Sequence, residues 1–120
     1  MYRLLAIVVL VLLLMCEAKA EPWTKEQMQL GAIAAGLYVV DYGQTRNIAK
    51  NPQQFRELNP LLGSHPTLGQ VNRHFLIGTA VVFSAAHFLP QYRSTILKTF
   101  IVIETVNTVR NYHVGLRMEF

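Results

Sequence analysis

The chain has 120 residues, of which 52% are hydrophobic and 15% are charged, and its formal net charge is +4. This length allows one small domain, and the composition lies between that of an ordinary soluble protein and that of a membrane protein. The basic residues are scattered, with no cluster of four or more that would mark a nucleic-acid surface. We therefore expect no nucleic-acid partner.

The first twenty residues have the layout of a secretory signal peptide. Arg3 precedes an uninterrupted apolar run, Leu4 to Met15, and Ala18 and Ala20 flank the expected cleavage site. A run of about twelve residues is short for a membrane span, so we favour export over an uncleaved anchor. The single cysteine, Cys16, would leave with the signal peptide, so the mature chain would have no disulfide and no thiolate chemistry.

The remaining sequence predicts a single all-α domain, residues 21–120, with three main helices in a small bundle or a membrane hairpin. The first helix begins at Thr24, which has the spacing of a capping box with Gln27, and continues to about Ala49. Its first half is rich in small and apolar residues. The helix is therefore predicted from its cap as well as from its composition.

A second capping box, T-L-G-Q at Thr67, marks the start of the next helix. An apolar stretch follows, and the helix should stop before Pro90 because the residue that precedes a proline disfavours helical geometry. The third helix covers roughly residues 94–111. The final VGLRMEF alternates over too short a stretch to distinguish a strand from a frayed tail.

The connection between the first two helices, residues 50–66, is predicted to be structured. Asn51-Pro52 and Asn59-Pro60 each have the pattern of an N-cap followed by proline at the first helical position. We expect about two helical turns over QQFREL. A single turn over PLL, closed by Gly63, should follow.

Both a membrane protein and a soluble module are compatible with these patterns. Small residues four apart, such as Gly31 and Ala35, allow helices to approach closely in lipid, and the basic residues follow the positive-inside rule if the mature N-terminus is outside. However, the apolar cores are about eleven to fifteen residues long, whereas a span needs roughly twenty. Lys98 and Glu104 would also lie at depth in the third helix.

A pair of short motifs favours the membrane alternative. Residues 41–45 read D-x-x-x-T, residues 57–63 read E-x-N-P-x-x-G, and an apolar helix follows. Over roughly residues 38–89 this arrangement resembles a set of small uncharacterised bacterial and phage membrane proteins. The resemblance implies a membrane location and supplies no known activity.

Polar residues recur on one face of the first helix and on one face of the third. Asp41, Gln44 and Thr45 are spaced i, i+3, i+4, and Glu104 and Asn107 begin the same pattern on the third helix. If these faces meet, two carboxylates come close together, with Asn72, His74 or His87 available from the second helix. The functional polar cluster that we predict comprises Asp41, Thr45, Glu57, Asn59, His74, Glu104 and Asn107.

Two interpretations of this cluster are open. Intramembrane ionisable groups are candidates for handling protons or a divalent cation, with carboxylate oxygen and imidazole nitrogen as ligands. Alternatively, the residues make structural contacts, with Asp41 paired to Arg46 or Arg73 and Glu104 paired to Lys98 or Arg110. We name no catalytic residue and no cofactor, and the metal is unknown.

The functional hypothesis is a small exported protein of the bacterial inner membrane with a non-enzymatic role. Its partners would be the membrane and either a second copy or another membrane protein, and phage-type superinfection exclusion or membrane permeabilisation fits its size. One alternative is a soluble periplasmic helical binding module. The other is a metal-dependent membrane enzyme that uses Asp41, Glu104 and histidine, although H-E-x-x-H and G-x-S-x-G motifs are absent from the sequence.

Overall fold

A computed structural model describes residues 21–120, and within this range the chain forms three α-helices and no strand. The helices are α1 (Lys25–Lys50), α2 (Leu68–Phe88) and α3 (Arg93–His113). Each helix packs against the other two, and α1 and α3 share the most extensive contact. The prediction of an all-α fold is confirmed for these residues, and the helices form a bundle. The predicted signal peptide lies outside the described residues.

Both predicted capping boxes are present. The Thr24 hydroxyl accepts the Gln27 N–H at 3.1 Å, and the Gln27 side chain accepts the Thr24 N–H at 3.1 Å. Thr67 and Gln70 repeat the arrangement at 3.2 and 2.9 Å. These caps satisfy backbone donors that a helix start leaves unpaired, so the starts of α1 and α2 follow directly from the sequence.

The apolar core consists of two clusters that are joined by Phe100 of α3. Each cluster contains one buried residue or more from α1 and from α2. The first cluster comprises Ala34, Ala86 and Leu97, and the second comprises Tyr38, Val71 and Phe75. Small side chains in the first cluster let the helices approach closely there, whereas aromatic rings fill the second.

A buried arginine holds the start of the described chain against the turn between α2 and α3. The Arg93 side chain is 1% exposed and lies over the Trp23 ring at 4.9 Å. Its guanidinium donates to the carbonyl of Ala86 at 2.7 Å and to the carbonyl of Glu21 at 2.9 Å. Because oxygen acceptors surround the planar group, the charge can be buried without a carboxylate partner.

Asn51 ends α1 and does not begin a new helix. Its N–H donates to the Asn47 carbonyl at 3.0 Å, and its side-chain amide donates to the same carbonyl at 3.1 Å. The N–H groups of Gln54 and Phe55 return to the Asn51 carbonyl, which gives one turn over this stretch. The predicted N-cap at Asn51 and the second helical turn over QQFREL are therefore wrong, because the Asn51 side chain is used by the preceding helix.

The next turn is held by Glu57 and Asn59. One Glu57 oxygen accepts the N–H groups of Leu58 and Asn59, both at 2.8 Å, and so competes with helical hydrogen bonding. The Asn59 side chain accepts the Leu61 N–H at 3.0 Å. Gly63, with a φ of 77°, closes the single turn predicted over PLL.

The last residues return along α1 as an irregular segment. The Glu119 N–H donates to the Gly43 carbonyl at 3.0 Å, and the Glu119 carboxylate lies 3.6 Å from the Lys50 ammonium. A Cβ atom at Gly43 would lie 2.9 Å from the side chains of both Met118 and Phe120. The glycine therefore permits the close approach of this segment to α1.

None of the three helices within residues 21–120 has the length and apolar character needed to cross a membrane. The predictions of transmembrane helices and of an inner-membrane location are therefore wrong. The apolar stretch of α1 ends near Asp41, and that of α3 is interrupted at Glu104, so each stays shorter than the roughly twenty residues of a span. The small residue Gly31 serves a different contact, since a Cβ there would lie 3.0 Å from the Trp23 ring.

Candidate functional site: a carboxyl pair beside a polar cavity

Two carboxyl groups, those of Asp41 on α1 and Glu104 on α3, meet at a hydrogen bond between the helices. Glu104 is 5% exposed. Burial raises the pKa of Glu104 to about 8, and the negative charge of Asp41 and the hydrogen bond between the two groups add to the rise. Glu104 is therefore protonated at neutral pH, and its O–H group donates a hydrogen bond to the Asp41 carboxylate.

The environment of Asp41 contains opposing influences. Burial raises its pKa, whereas the hydrogen bond with Glu104 favours the ionised form. The nearby charge of Glu57 disfavours ionisation, and the hydrogen bond from Thr45 and the positive charge of His74 favour it. The net effect is a raised pKa, with Asp41 as the anionic member of the pair.

The lack of a hydrogen-bond donor for one oxygen of Glu104 agrees with this assignment. Its Oε2 atom is buried, and no N–H or hydroxyl group of the other described residues donates to it. A buried acceptor without a donor costs about 1–3 kcal/mol. A proton on Glu104 removes the conflict, because the carboxyl then acts as a donor toward Asp41.

Amide side chains fix Asp41 against α3. The Asn111 side-chain amide donates to Asp41 Oδ1 and to the Gln44 side-chain oxygen, both at 3.2 Å. Gln44, which is 2% exposed, donates in turn to the Thr108 carbonyl at 3.2 Å. The polar faces of the two helices thus meet as the spacing predicted, and they hold the carboxyl pair in a defined position.

A polar cavity of about 270 Å³ opens beside Asp41. It is bounded by the ends of all three helices and by the segment that connects α1 to α2. Six of the seven residues of the predicted cluster line it: Asp41, Thr45, Glu57, Asn59, His74 and Asn107. The seventh, Glu104, is hydrogen-bonded to Asp41 in the cavity wall. The structure brings the set together, and its functional role stays a prediction.

The charges around the cavity are unequal. Asp41 and Glu57 contribute carboxylates to the wall, and Arg110, which is exposed, contributes the guanidinium. His74 is half-buried in the wall as well. With Glu104 neutral, two carboxylates outnumber one guanidinium among the described residues of the wall, so its potential favours a positively charged ligand.

The ion pairs suggested by the sequence do not form. Arg46 donates to the Asn72 side-chain oxygen at 2.8 Å, and Lys98 lies 3.9 Å from Glu26. Within residues 21–120 neither carboxyl of the buried pair has a lysine or arginine partner within 4.0 Å. His87 also lies elsewhere, where it accepts the Trp23 indole N–H at 3.2 Å.

Tyr38 belongs to the same environment and was not singled out from the sequence. Burial raises its pKa to about 12, and the charges of Glu104 and Asp41 add to the rise. Its ring packs against Phe75 and Phe100 at centroid distances of 4.7 and 5.1 Å. Its position three residues before Asp41 was the available signal, since residues i and i+3 share a helix face.

A second concavity, of about 500 Å³, lies between α1 and α2. Ala35, Val39, Leu76 and Phe83 give it a largely apolar lining, and none of the described charged side chains contributes to it. Phe75 lines both concavities. The two concavities therefore differ in the charge of their walls.

Within the described part of the chain, no group of three or more His, Cys, Asp or Glu side chains is arranged to hold a metal ion. Comparisons with protein families, with curated proteins and with solved structures gave no match to this chain. The resemblance noted over residues 38–89 stays a prediction.

Proposed function

We propose that this protein is a non-enzymatic helical binding module that holds a small polar ligand in the cavity beside Asp41. The supporting observation is the cavity itself, which gathers Asp41, Glu57, His74 and Asn107 from the three helices and the connecting segment. Concave sites in which a few polar groups converge are the usual form of ligand-binding sites.

The size of the cavity limits the ligand. At about 270 Å³, it lies just below the range of about 300–1,000 Å³ that accommodates drug-sized molecules. A ligand of a few non-hydrogen atoms fits this space. The polar wall would bind it through hydrogen bonds and charge, with Phe75 as an apolar side.

Several groups in the wall are held in place before any ligand arrives. One Glu57 oxygen is fixed by two backbone N–H groups, and Asp41 is fixed by Asn111. Binding to such groups requires little further ordering of side chains, which otherwise costs about 0.5–1.5 kcal/mol for each one immobilised. The arrangement is suited to binding a small molecule without a large conformational change.

The experiment is an NMR titration of the full chain with three probes of similar size and different charge: ethanolamine, ethylene glycol and glycolate. At least one probe should shift the backbone amides of Thr45, Glu57 and His74 in a saturable way. Asn107→Phe, which fills the cavity, should abolish saturation. Val106→Phe, at a neighbouring exposed position, is the matched control and should leave it unchanged. Failure of all three probes to saturate would refute the proposal.

A further inference from the structure

We propose that the ligand is a small primary amine, bound as a cation against Asp41 and Glu57, and that its entry displaces the proton shared by Asp41 and Glu104. This inference rests on the proposed function, because it specifies the chemistry of a ligand in the same cavity. It also assigns a role to Glu104, which the binding proposal alone does not use.

The charges in the cavity wall favour a cationic ligand. Among residues 21–120, the carboxylates of Asp41 and Glu57 line the cavity, and the guanidinium in its wall, that of Arg110, belongs to an exposed residue. An ammonium group is a compact charge with three donors and can bridge two carboxylates. Glycolate would instead face both carboxylates, and ethylene glycol would leave their charges uncompensated.

The proton on Glu104 couples amine binding to proton release. Glu104 is buried, and its Oε2 atom has no partner among the described residues. In the empty site the Glu104 carboxyl group is stabilised as a neutral acid that donates a hydrogen bond to Asp41. A cation beside Asp41 stabilises negative charge on both members of the pair, so the Glu104 proton is released to solvent. The balance is protein–H plus R–NH₃⁺ giving protein·R–NH₃⁺ plus H⁺.

The other groups that face the pair come from every neighbouring element. They are Tyr38 on α1, Glu57 on the connecting segment, His74 on α2, and Arg110 on α3. Burial raises the pKa of Tyr38 to about 12, so this side chain stays neutral throughout the range of interest. Arg110 brings a guanidinium and His74 an imidazole to the same wall, and His74 is therefore replaced in the test below.

The expected pH dependence follows from linkage. Burial raises the pKa of Glu104 to about 8, so below this pH the cation must displace a proton. The ligand stays cationic from pH 6 to 8, since alkyl amines such as that of lysine ionise at about 10.4. Because Glu104 in the empty site has a pKa of about 8, the apparent Kd of the amine should fall about fifty-fold between pH 6 and pH 8.

The test is isothermal titration calorimetry of the full chain with ethanolamine at pH 6, 7 and 8. At pH 7 it is repeated in two buffers of different ionisation enthalpy. We expect release of close to one proton per amine bound, together with the fifty-fold change in Kd. Glu104→Gln keeps a neutral donor toward Asp41, so it should retain binding and lose both the proton release and the pH dependence. His74→Gln, whatever its affinity for the amine, should still release close to one proton for each amine bound, and Glu26→Gln, a charge change at an exposed site, should change neither effect.

The outcomes separate this inference from the proposed function. If glycolate or ethylene glycol binds the cavity and ethanolamine does not, the cavity is a binding site and the amine inference is wrong. If ethanolamine binds without releasing a proton, or if His74→Gln removes the pH dependence, the role given to Glu104 is wrong. If no probe binds, both proposals fail. The buffer comparison on the unmodified chain decides the proton step even if Glu104→Gln does not fold.

Discussion

Replacing Glu104 by Gln is expected to remove most of the pH dependence of the free energy of unfolding between pH 5 and pH 8. Burial raises the pKa of Glu104 from 4.5 to about 8, so between these values the folded chain holds a proton that the unfolded chain has lost. Stability falls with rising pH wherever the folded state binds more protons. The Glu104 contribution is thus complete below pH 4.5 and is lost as the pH rises through 8.

The magnitude is large for a domain of this size. A shift of 3.5 pH units, from 4.5 to about 8, corresponds to about 5 kcal/mol at 1.36 kcal/mol for each unit. Whole domains are stable by about 5–15 kcal/mol. The raised pKa of Asp41 acts in the same direction as the pH rises. The protein should therefore be most stable at mildly acidic pH.

Urea denaturation, followed by circular dichroism at pH 5, 6, 7 and 8, measures this effect. The unmodified chain should lose stability steadily across the series, whereas Glu104→Gln should lose much less and should be the more stable protein at pH 8. Glu26→Gln, at an exposed position, should follow the unmodified chain. A stability that rises from pH 5 to pH 8 in the unmodified chain would contradict the assignment of a buried, protonated Glu104.

Three further predictions concern the packing of the helices and the connecting turn. Arg93→Met should destabilise the chain by about 3 kcal/mol in urea denaturation, because it leaves the buried Ala86 carbonyl and the partly buried Glu21 and His87 carbonyls without this donor. The exposed control Arg73→Met should lie within about 0.5 kcal/mol of the unmodified chain, and an equal effect of the two would contradict the burial of Arg93. Gly43→Ala should lower the free energy of unfolding by about 1–3 kcal/mol and expose the last residues to limited proteolysis, because its Cβ would meet Met118 and Phe120. The control Gly36→Ala, where the same helix has open space, should be neutral or stabilising. A neutral Gly43→Ala would refute the packing of the tail. Glu57→Ala should speed hydrogen exchange at the Leu58 and Asn59 amides by removing their acceptor, while Glu57→Gln should preserve protection; unchanged exchange in Glu57→Ala would show that the turn is held otherwise.

The features that the sequence predicted correctly depend on local chemistry. A threonine followed three residues later by glutamine forms a capping box whatever surrounds it, so the starts of α1 and α2 could be placed to within a residue. The i, i+3, i+4 spacing put Asp41 and Gln44 on one face, and this face meets α3. These patterns need no knowledge of distant parts of the chain.

The predictions that were wrong or missing concern places where contacts with residues distant in the sequence determine the structure. Asn51 could cap the turn after it or the helix before it, and the sequence alone did not distinguish the two. The final segment became ordered through Gly43, more than seventy residues earlier in the chain, as in the Glu119 to Gly43 hydrogen bond. Arg93 was not singled out from the sequence, yet its guanidinium lies between the Trp23 ring and the carbonyls at the end of α2.

The prediction of membrane helices was wrong because the patterns behind it also occur in helical bundles. Small residues and apolar runs are equally useful in a bundle, where Gly31 makes room for the Trp23 ring. The decisive quantity was the length of uninterrupted apolar sequence, which Asp41 in α1 and Glu104 in α3 keep short. The same two residues that exclude a span are therefore the ones that form the buried pair.

The energetic cost of burying this pair supports the proposed binding of a cation. An apolar pair at the contact between α1 and α3 would avoid the penalty of burying two carboxyl groups. A bound cation would compensate their negative charge, so the cost of burying Asp41 and Glu104 and the proposed affinity for an amine have the same origin. The ligand should stabilise the fold most strongly above pH 8, where the pair is ionised and the empty bundle is weakest.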